Sequence, residues 1–171
     1  MAAPASPTLR QLSLHYHELA GPAQLSSDER RVWEAAQAAT AHSYAPYSRF
    51  HVGAALLLAD GTIFQGTNQE NAAYPSGLCA ERTALFGLAG SRPAPPPRLV
   101  GMAVAGRPAQ GTFVAALPCG ACRQVMLEVE VRQGEPVWLL LPSTNGTILR
   151  FNCLADLLPF HFSAADLPVR F

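Results

Sequence analysis

Charge of either sign is scarce in this chain. Lys plus Arg and Asp plus Glu each number 12 in 171 residues, so the formal net charge is zero and charged residues make up only 14%. Proteins that grip nucleic acid through its phosphates usually show a basic excess. A broad nucleic-acid surface is therefore not expected, while a small neutral or anionic ligand stays open. Long apolar runs are missing as well: none is long enough to span a bilayer, so no membrane partner is expected. The opening MAAPASPTLRQ lacks the basic-then-apolar layout of a secretory signal, and the expected location is the cytoplasm. Only four cysteines occur, Cys79, Cys119, Cys122 and Cys153. In such a chain they read better as metal ligands or free thiols than as a disulfide framework. No internal repeat and no long linker divides the sequence.

What remains suits one compact domain. The hydrophobic fraction is 49%, and 171 residues suffice for a real core but leave little room for a second domain. Residues 1 to 8 are rich in Ala, Pro and Ser and are expected to fray. LSLHYHEL alternates Leu12, Leu14 and Tyr16 against Ser13, His15 and His17, which predicts a strand. Ser26 followed by Glu29 marks a capping box and the entry to a helix. FHVGAALLLADGTIFQGTN reads as two strands turning at Asp60-Gly61.

Further along, CAERTALFGLAG predicts a helix, SRPAPPPR a surface connection and LVGMAVAG a buried strand. CGACRQVMLEVEVRQG predicts another helix, PVWLLL and TILRF two strands about the Asn145-Gly146 turn, and CLADLLP a short last helix. A strand–helix–strand–helix–strand order implies crossovers and a sheet covered by helices on both faces, an α/β fold. It also places Cys79 and the Cys119/Cys122 pair at the starts of two helices. Free N–H groups and the positive end of the dipole favour thiolate over thiol there.

The chemistry-bearing pattern is Cys79-Ala80-Glu81, then 36 residues, then Pro118-Cys119-Gly120-Ala121-Cys122. Cys119 and Cys122 lie one helical turn apart and can grip one ion. Alone, the pair is equally compatible with a redox dithiol or with half of a four-ligand structural site. Cys79 adds a third soft ligand, which suits zinc and leaves a fourth tetrahedral position for water. Cys153 is available by count, but in the apolar FNCLADLL it reads better as a small buried thiol.

Glu81 is too close to Cys79 to be a comfortable ligand. It fits a carboxylate that takes a proton from metal-activated water. An isolated glutamate there would be only a favourable first-turn acid. Arg82 and Arg123 each follow a motif and either donate to the sulfurs, offsetting three thiolate charges, or face solvent. None of the five histidines falls at ligand spacing from the cysteines.

YAPYSRFHVGAAL, TNQENAAYPSGLCAERTAL, PCGACRQVM and LLPFHF together resemble, in order, the small homo-oligomeric cytidine deaminases, over roughly residues 40 to 165. The nucleobase-deaminase signature H-x-E…P-C-x-x-C, with a three-cysteine variant, is a known mark of zinc deaminases. The resemblance implies a three-layer α/β/α sandwich on a mixed sheet of about five strands. It implies one zinc ion per subunit held by Cys79, Cys119 and Cys122, and hydrolytic deamination of cytidine and 2′-deoxycytidine in pyrimidine salvage. Glu81 would protonate ring N3 during attack at C4 and then help ammonia leave.

By the same resemblance the main chain of Ala80 contacts the base and Phe50 stacks near it. Asn68 and Glu70 bind the ribose hydroxyls, and Phe162 reaches into a neighbouring subunit of a tetramer whose active sites are shared. Read without it, the Asn68–Glu70 stretch is a solvated turn, Phe50 a core residue and Phe162 a tail anchor. Tyr47 and Tyr74 belong to the site or to a subunit contact. Residues 1 to 26 form an amino-terminal extension relative to the shortest members, and 27 to 171 the deaminase domain. SRPAPPPR and GRPAQGTF lengthen the stretch before the second cysteine pair.

Overall fold

Three helices pack on a six-stranded sheet in a computed structural model that describes residues 8–91 and 97–168. The elements are β1 (His17–Leu19), α1 (Ser27–Ala39), β2 (Phe50–Leu58), β3 (Ile63–Thr67), α2 (Ala80–Ser91), β4 (Leu99–Pro108), α3 (Gly120–Gln133), β5 (Trp138–Pro142) and β6 (Ile148–Phe151). Sheet order is β1-β6-β5-β4-β2-β3. β4 and β5 are parallel neighbours joined by α3, and every other pair is antiparallel. The sheet is mixed, as expected.

The sheet is buried on both faces, which is why its central strands read as unbroken apolar runs. Ala54, Leu56 and Leu58 of β2, Met102 and Val104 of β4, and Leu139 and Leu141 of β5 face Ala84, Leu85 and Leu88 of α2 and Met126 of α3. The alternate residues, Ala55, Leu57, Ala103, Ala105 and Leu140, face Val32, Trp33 and Ala36 of α1. The three-layer α/β/α arrangement is thus built from period-two alternation within strands that look uniformly hydrophobic.

Helix α1 starts where the capping box places it. The Ser26 Oγ accepts from the Glu29 N–H at 3.3 Å, and Glu29 Oε2 accepts from the Ser26 N–H at 2.9 Å. The other oxygen of Glu29 accepts from Arg150 Nε on β6, tying the helix across the sheet. Burial pushes the Glu29 carboxyl up, but the bonds from Arg150 and Ser26 outweigh it and hold the pKa below its usual value.

The hairpin at Asp60-Gly61 forms as expected, with Gly61 at φ 81°, a conformation that disfavours a Cβ. Gly66 matters differently. A Cβ there would lie 2.3 Å from the Ala84 N, so its absence lets α2 sit against β3 and fixes the helix that carries the site.

Two expectations need correction. The strand predicted across LSLHYHEL is confined to His17–Leu19, because its partner β6 offers only four residues and the register pairs three of them. It makes the sheet six-stranded where about five were expected. The last predicted helix is only a 3-10 turn, Ala155–Leu157. Pro159 follows closely and disfavours helical backbone at the residue before it. The SRPAPPPR connection falls largely outside the described residues.

Candidate metal and nucleoside site

The two cysteine motifs meet at neighbouring helix starts. Cys79 immediately precedes α2, its carbonyl accepting from the Thr83 N–H at 3.0 Å. Cys119 is the N-cap of α3, its carbonyl accepting from the Arg123 N–H at 3.0 Å. Cys122 lies one turn into α3 and is buried, Cys79 is half-buried and Cys119 is exposed. The Sγ atoms of Cys79 and Cys119 are 3.9 Å apart and those of Cys119 and Cys122 3.5 Å. All three lie within 4.8 Å of one another.

No disulfide spans these sulfurs, since a disulfide requires about 2.05 Å. Tetrahedral Zn–S bonds of about 2.3 Å place sulfurs about 3.8 Å apart, close to the 3.9 and 3.5 Å separations of Cys119 from Cys79 and Cys122, so the cluster suits a zinc ion. Cys153 is not in the cluster, and among the described residues no fourth protein ligand joins the three. That matches an ion with one open position better than a closed structural site.

The thiols are unequal even without metal. A hydrogen bond from Cys122, with further donation from Arg82 and Cys119, outweighs burial and pulls Cys79 down to about 5. The Cys79 thiolate it serves, together with burial and the Glu81 charge, pushes Cys122 up. Arg82 donates from Nη2 to Cys79 Sγ at 3.8 Å, as one of its two sequence readings expected. Arg123 does not reach a sulfur. Its Nε donates to the Pro118 carbonyl at 2.9 Å and its Nη1 to the Leu157 carbonyl at 3.2 Å, so the expectation that it tunes the thiolates directly is corrected.

Glu81, in the first turn of α2, is 4% exposed. Burial first, and then the Cys79 charge, raise its pKa above the usual carboxylate value. A buried carboxyl with a raised pKa beside a metal cage is suited to taking and returning protons near neutrality.

Glu81 faces a cavity of about 190 Å³ lined by Phe50, Val52, Asn68, Cys79, Ala80, Glu81, Val104, Ala116, Leu117 and Cys119. The strand start (Phe50), the helix start (Ala80) and the two metal turns therefore share one chamber. Sequence reasoning missed Val52, Val104, Ala116 and Leu117. The last two sit directly before the Pro118-Cys119 motif, and that adjacency was the available signal.

Asn68 joins this chamber to a wider one of about 550 Å³ that also contains Tyr47, Ser48, Glu70, Tyr74, Cys79 and Arg82. The stretch from Asn68 to Glu70 is no loose turn. Its backbone is bonded to Tyr44 on one side (Tyr44 N to Asn68 O, 3.1 Å; Glu70 N to Tyr44 O, 2.8 Å). On the other side Gln69 exchanges two 2.9 Å bonds with Leu78. The Asn68 amide spans β2, accepting from the Val52 N–H at 2.8 Å and donating to the Phe50 carbonyl at 2.9 Å.

Glu70 Oε2 accepts from the N–H groups of Tyr47 and Ser48 at 2.9 and 3.2 Å. The Ser48 hydroxyl, then these N–H groups, hold its carboxyl below the usual pKa. Tyr47 and Tyr74 meet edge to face at 5.9 Å, and both line the wider chamber with Glu70. Phe162 is 61% exposed and lines neither cavity of its own chain. The histidines stay away from the cysteine cluster; His51 shares a hydrogen bond with Ser43, and His161 Nδ1 lies 3.0 Å from the Leu158 carbonyl.

Residues 26–134 match the family described as the cytidine and deoxycytidylate deaminase zinc-binding region. The cytidine deaminase of Halalkalibacterium halodurans is 40% identical over 125 residues, covering 73% of this chain and 86% of that protein. That of Mycobacterium tuberculosis is 38% identical over 130 residues, 76% of this chain and 86% of the relative. Among solved structures, the cytidine deaminase of Burkholderia pseudomallei superposes with a TM-score of 0.62 at 44% identity, over 77% of this chain and 97% of that one. The Mycobacterium tuberculosis structure gives 0.61 at 33%, over 81% and 99%. With its three-cysteine cage, its buried glutamate and the match across most of its sheet and helices, the chain belongs to the zinc-binding cytidine and deoxycytidylate deaminase family.

Proposed function

We propose that this protein is a cytidine deaminase that hydrolyses cytidine and 2′-deoxycytidine to uridine and 2′-deoxyuridine with release of ammonia, in pyrimidine salvage in the cytoplasm. The observation that carries this reading is a cluster of three thiols within 4.8 Å of one another, two of which, Cys79 and Cys119, share a cavity of about 190 Å³ with the buried carboxyl of Glu81. The zero net charge and the small size of the chamber favour a free nucleoside over a nucleic-acid strand. Among the described residues, no helix is long and apolar enough to cross a membrane.

Cys79, Cys119 and Cys122 would hold one zinc ion per subunit. When bound, such an ion lowers the pKa of coordinated water from about 16 toward about 7 and so supplies the hydrolytic nucleophile at neutral pH. The residues of the chain do the rest. Phe50 lies against the ring and the main chain of Ala80 meets the base. Glu81 takes the proton lost by the attacking water and delivers it to N3. As the C4–N4 bond breaks, Glu81 takes the proton of the new C4 hydroxyl, which becomes the C4 carbonyl, and passes it to the departing amine, which leaves as ammonia.

Asn68 and Glu70 position the sugar. Asn68 keeps a second amide hydrogen and lone pair, and Glu70 keeps Oε1, beyond the backbone bonds they already make. Phe162, exposed and outside its own cavity, closes the chamber of a second copy in a tetramer.

The deciding experiment follows the ultraviolet spectrum of cytidine and of 2′-deoxycytidine with zinc-loaded protein. Conversion of both is expected, while a folded, zinc-loaded sample that converts neither sinks the reading. Single-stranded DNA and RNA under the same conditions are expected to remain unedited.

A further inference from the structure

Helix α3 presents three polar side chains to the segment that follows β6. Glu130 is a buried carboxylate, 7% exposed. Its Oε2 accepts from the N–H groups of Val137 and Leu154 at 2.8 Å each, and its Oε1 from that of Ala155 at 3.0 Å. Arg123, two turns earlier on the same face, donates to the Leu157 carbonyl. Gln124 donates from Nε2 to the Phe162 carbonyl at 2.9 Å. The chain from Leu154 to Phe162 is thus pinned to α3 at its start, middle and end.

Arg123 differs from the other two in having a second partner at the metal turn. Its Nε donates to the carbonyl of Pro118, the residue directly before Cys119, while its Nη1 holds Leu157. A guanidinium offers donors along two edges of one rigid plane, so moving either carbonyl shifts the other. Because Arg123 is also the residue after Cys122, its own backbone moves with that ligand.

We infer that Arg123 is a positioning residue that locks the Pro118–Cys119 metal turn to the C-terminal turn leading to Phe162, so that one side chain sets both metal retention and closure over the nucleoside. Gln124 fixes only the tail. This rests on the proposed reading, in which the three thiols hold zinc and Phe162 completes the nucleoside chamber.

The test uses zinc-loaded full-length protein with Arg123→Gln, Arg123→Lys and Gln124→Ala. It reads zinc transfer to a colorimetric chelator without substrate, and KM and kcat for cytidine separately. Arg123→Gln is expected to accelerate zinc release about tenfold or more, as loss of a partner outside the ligand set typically does, and to raise KM together with it. Gln124→Ala raises KM several-fold and leaves zinc release unchanged. Arg123→Lys, which keeps the charge and stem but cannot occupy both carbonyl positions, shows both effects at smaller size and remains informative should the Gln variant fail to fold.

Either Arg123 variant changing only one readout, or neither, overturns the inference, as does Gln124→Ala changing zinc release. A parent protein that holds no zinc or turns over no cytidine overturns the functional reading instead, so the two failures are distinguishable.

Discussion

The Nη2 of Arg82 stands 3.8 Å from the Sγ of Cys79, one turn along the helix whose start both residues share. The Arg82 Nε is buried and has no hydrogen-bond partner among the described residues. The guanidinium is therefore committed to the thiolate at one edge and desolvated at another. Its charge helps hold Cys79 at about 5, behind the hydrogen bond from Cys122.

In metal-free protein, Cys79 is expected to be the cysteine alkylated most readily by iodoacetamide at mildly acidic pH, with reactivity rising through about pH 5. Arg82→Gln moves that midpoint upward and weakens zinc binding by about 10- to 100-fold. Peptide mapping by mass spectrometry across a pH series reads the first, and competition with a chelator the second. An unchanged midpoint in the variant refutes the role given to Arg82.

Glu81→Gln is expected to retain zinc and lose turnover by at least about 10²- to 10⁴-fold, the range of a general acid–base group. Stability should move the other way. The folded-state pKa of Glu81 is raised above its ordinary value, chiefly by burial. The ionised carboxylate therefore costs stability, a cost absent below the unfolded-state pKa and fully present once pH has risen past the folded one. Metal-free Glu81→Gln should accordingly melt higher than the parent at neutral pH and alike at pH 4, as differential scanning calorimetry would show.

Gly66→Ala forces a Cβ to within 2.3 Å of the Ala84 backbone. Overpacking of this kind costs about 1–3 kcal/mol. Here it also displaces α2, whose first turn carries Ala80, Glu81 and Arg82. A lower melting temperature together with weaker zinc binding is expected, whereas a lower melting temperature with intact zinc binding would mean that β3 yields instead of the helix.

Asn68→Ala removes the amide that bonds Val52 and Phe50 across β2, and Glu70→Gln weakens the acceptor of two backbone N–H groups. If Asn68 and Glu70 hold the sugar as proposed, both substitutions should raise KM for cytidine more than they lower kcat. Steady-state kinetics with cytosine, which has no sugar, should show a much smaller effect of either change.

Much of the site was legible because its chemistry is local. Cys79 with Glu81 and Cys119 with Cys122 each sit within one helical turn, and Ser26 with Glu29 gave the start of α1 in the same way. Arg123 was misread because adjacency to Cys122 along the chain says nothing about where a long side chain ends. Its partners Pro118 and Leu157 lie on opposite sides of it in sequence, and only the fold brings Leu157 near. The strand across residues 12–19 was overextended because alternation reports a capacity to pair, while its length is limited by the partner available, here the short β6.

The two cysteine motifs, the helix starts that favour thiolates and the two hairpins follow from the sequence alone, because each depends on residues a few positions apart. Only the tertiary structure brings the sulfurs of the two motifs to 3.9 Å, Cys79 to Cys119, desolvates Glu81, and sets Arg123 on carbonyls instead of thiolates. These depend on how α2 and α3 settle against the sheet. Packing at Gly66 and the pinning of the C-terminal turn by Glu130 fix that arrangement, through contacts between residues far apart in the chain.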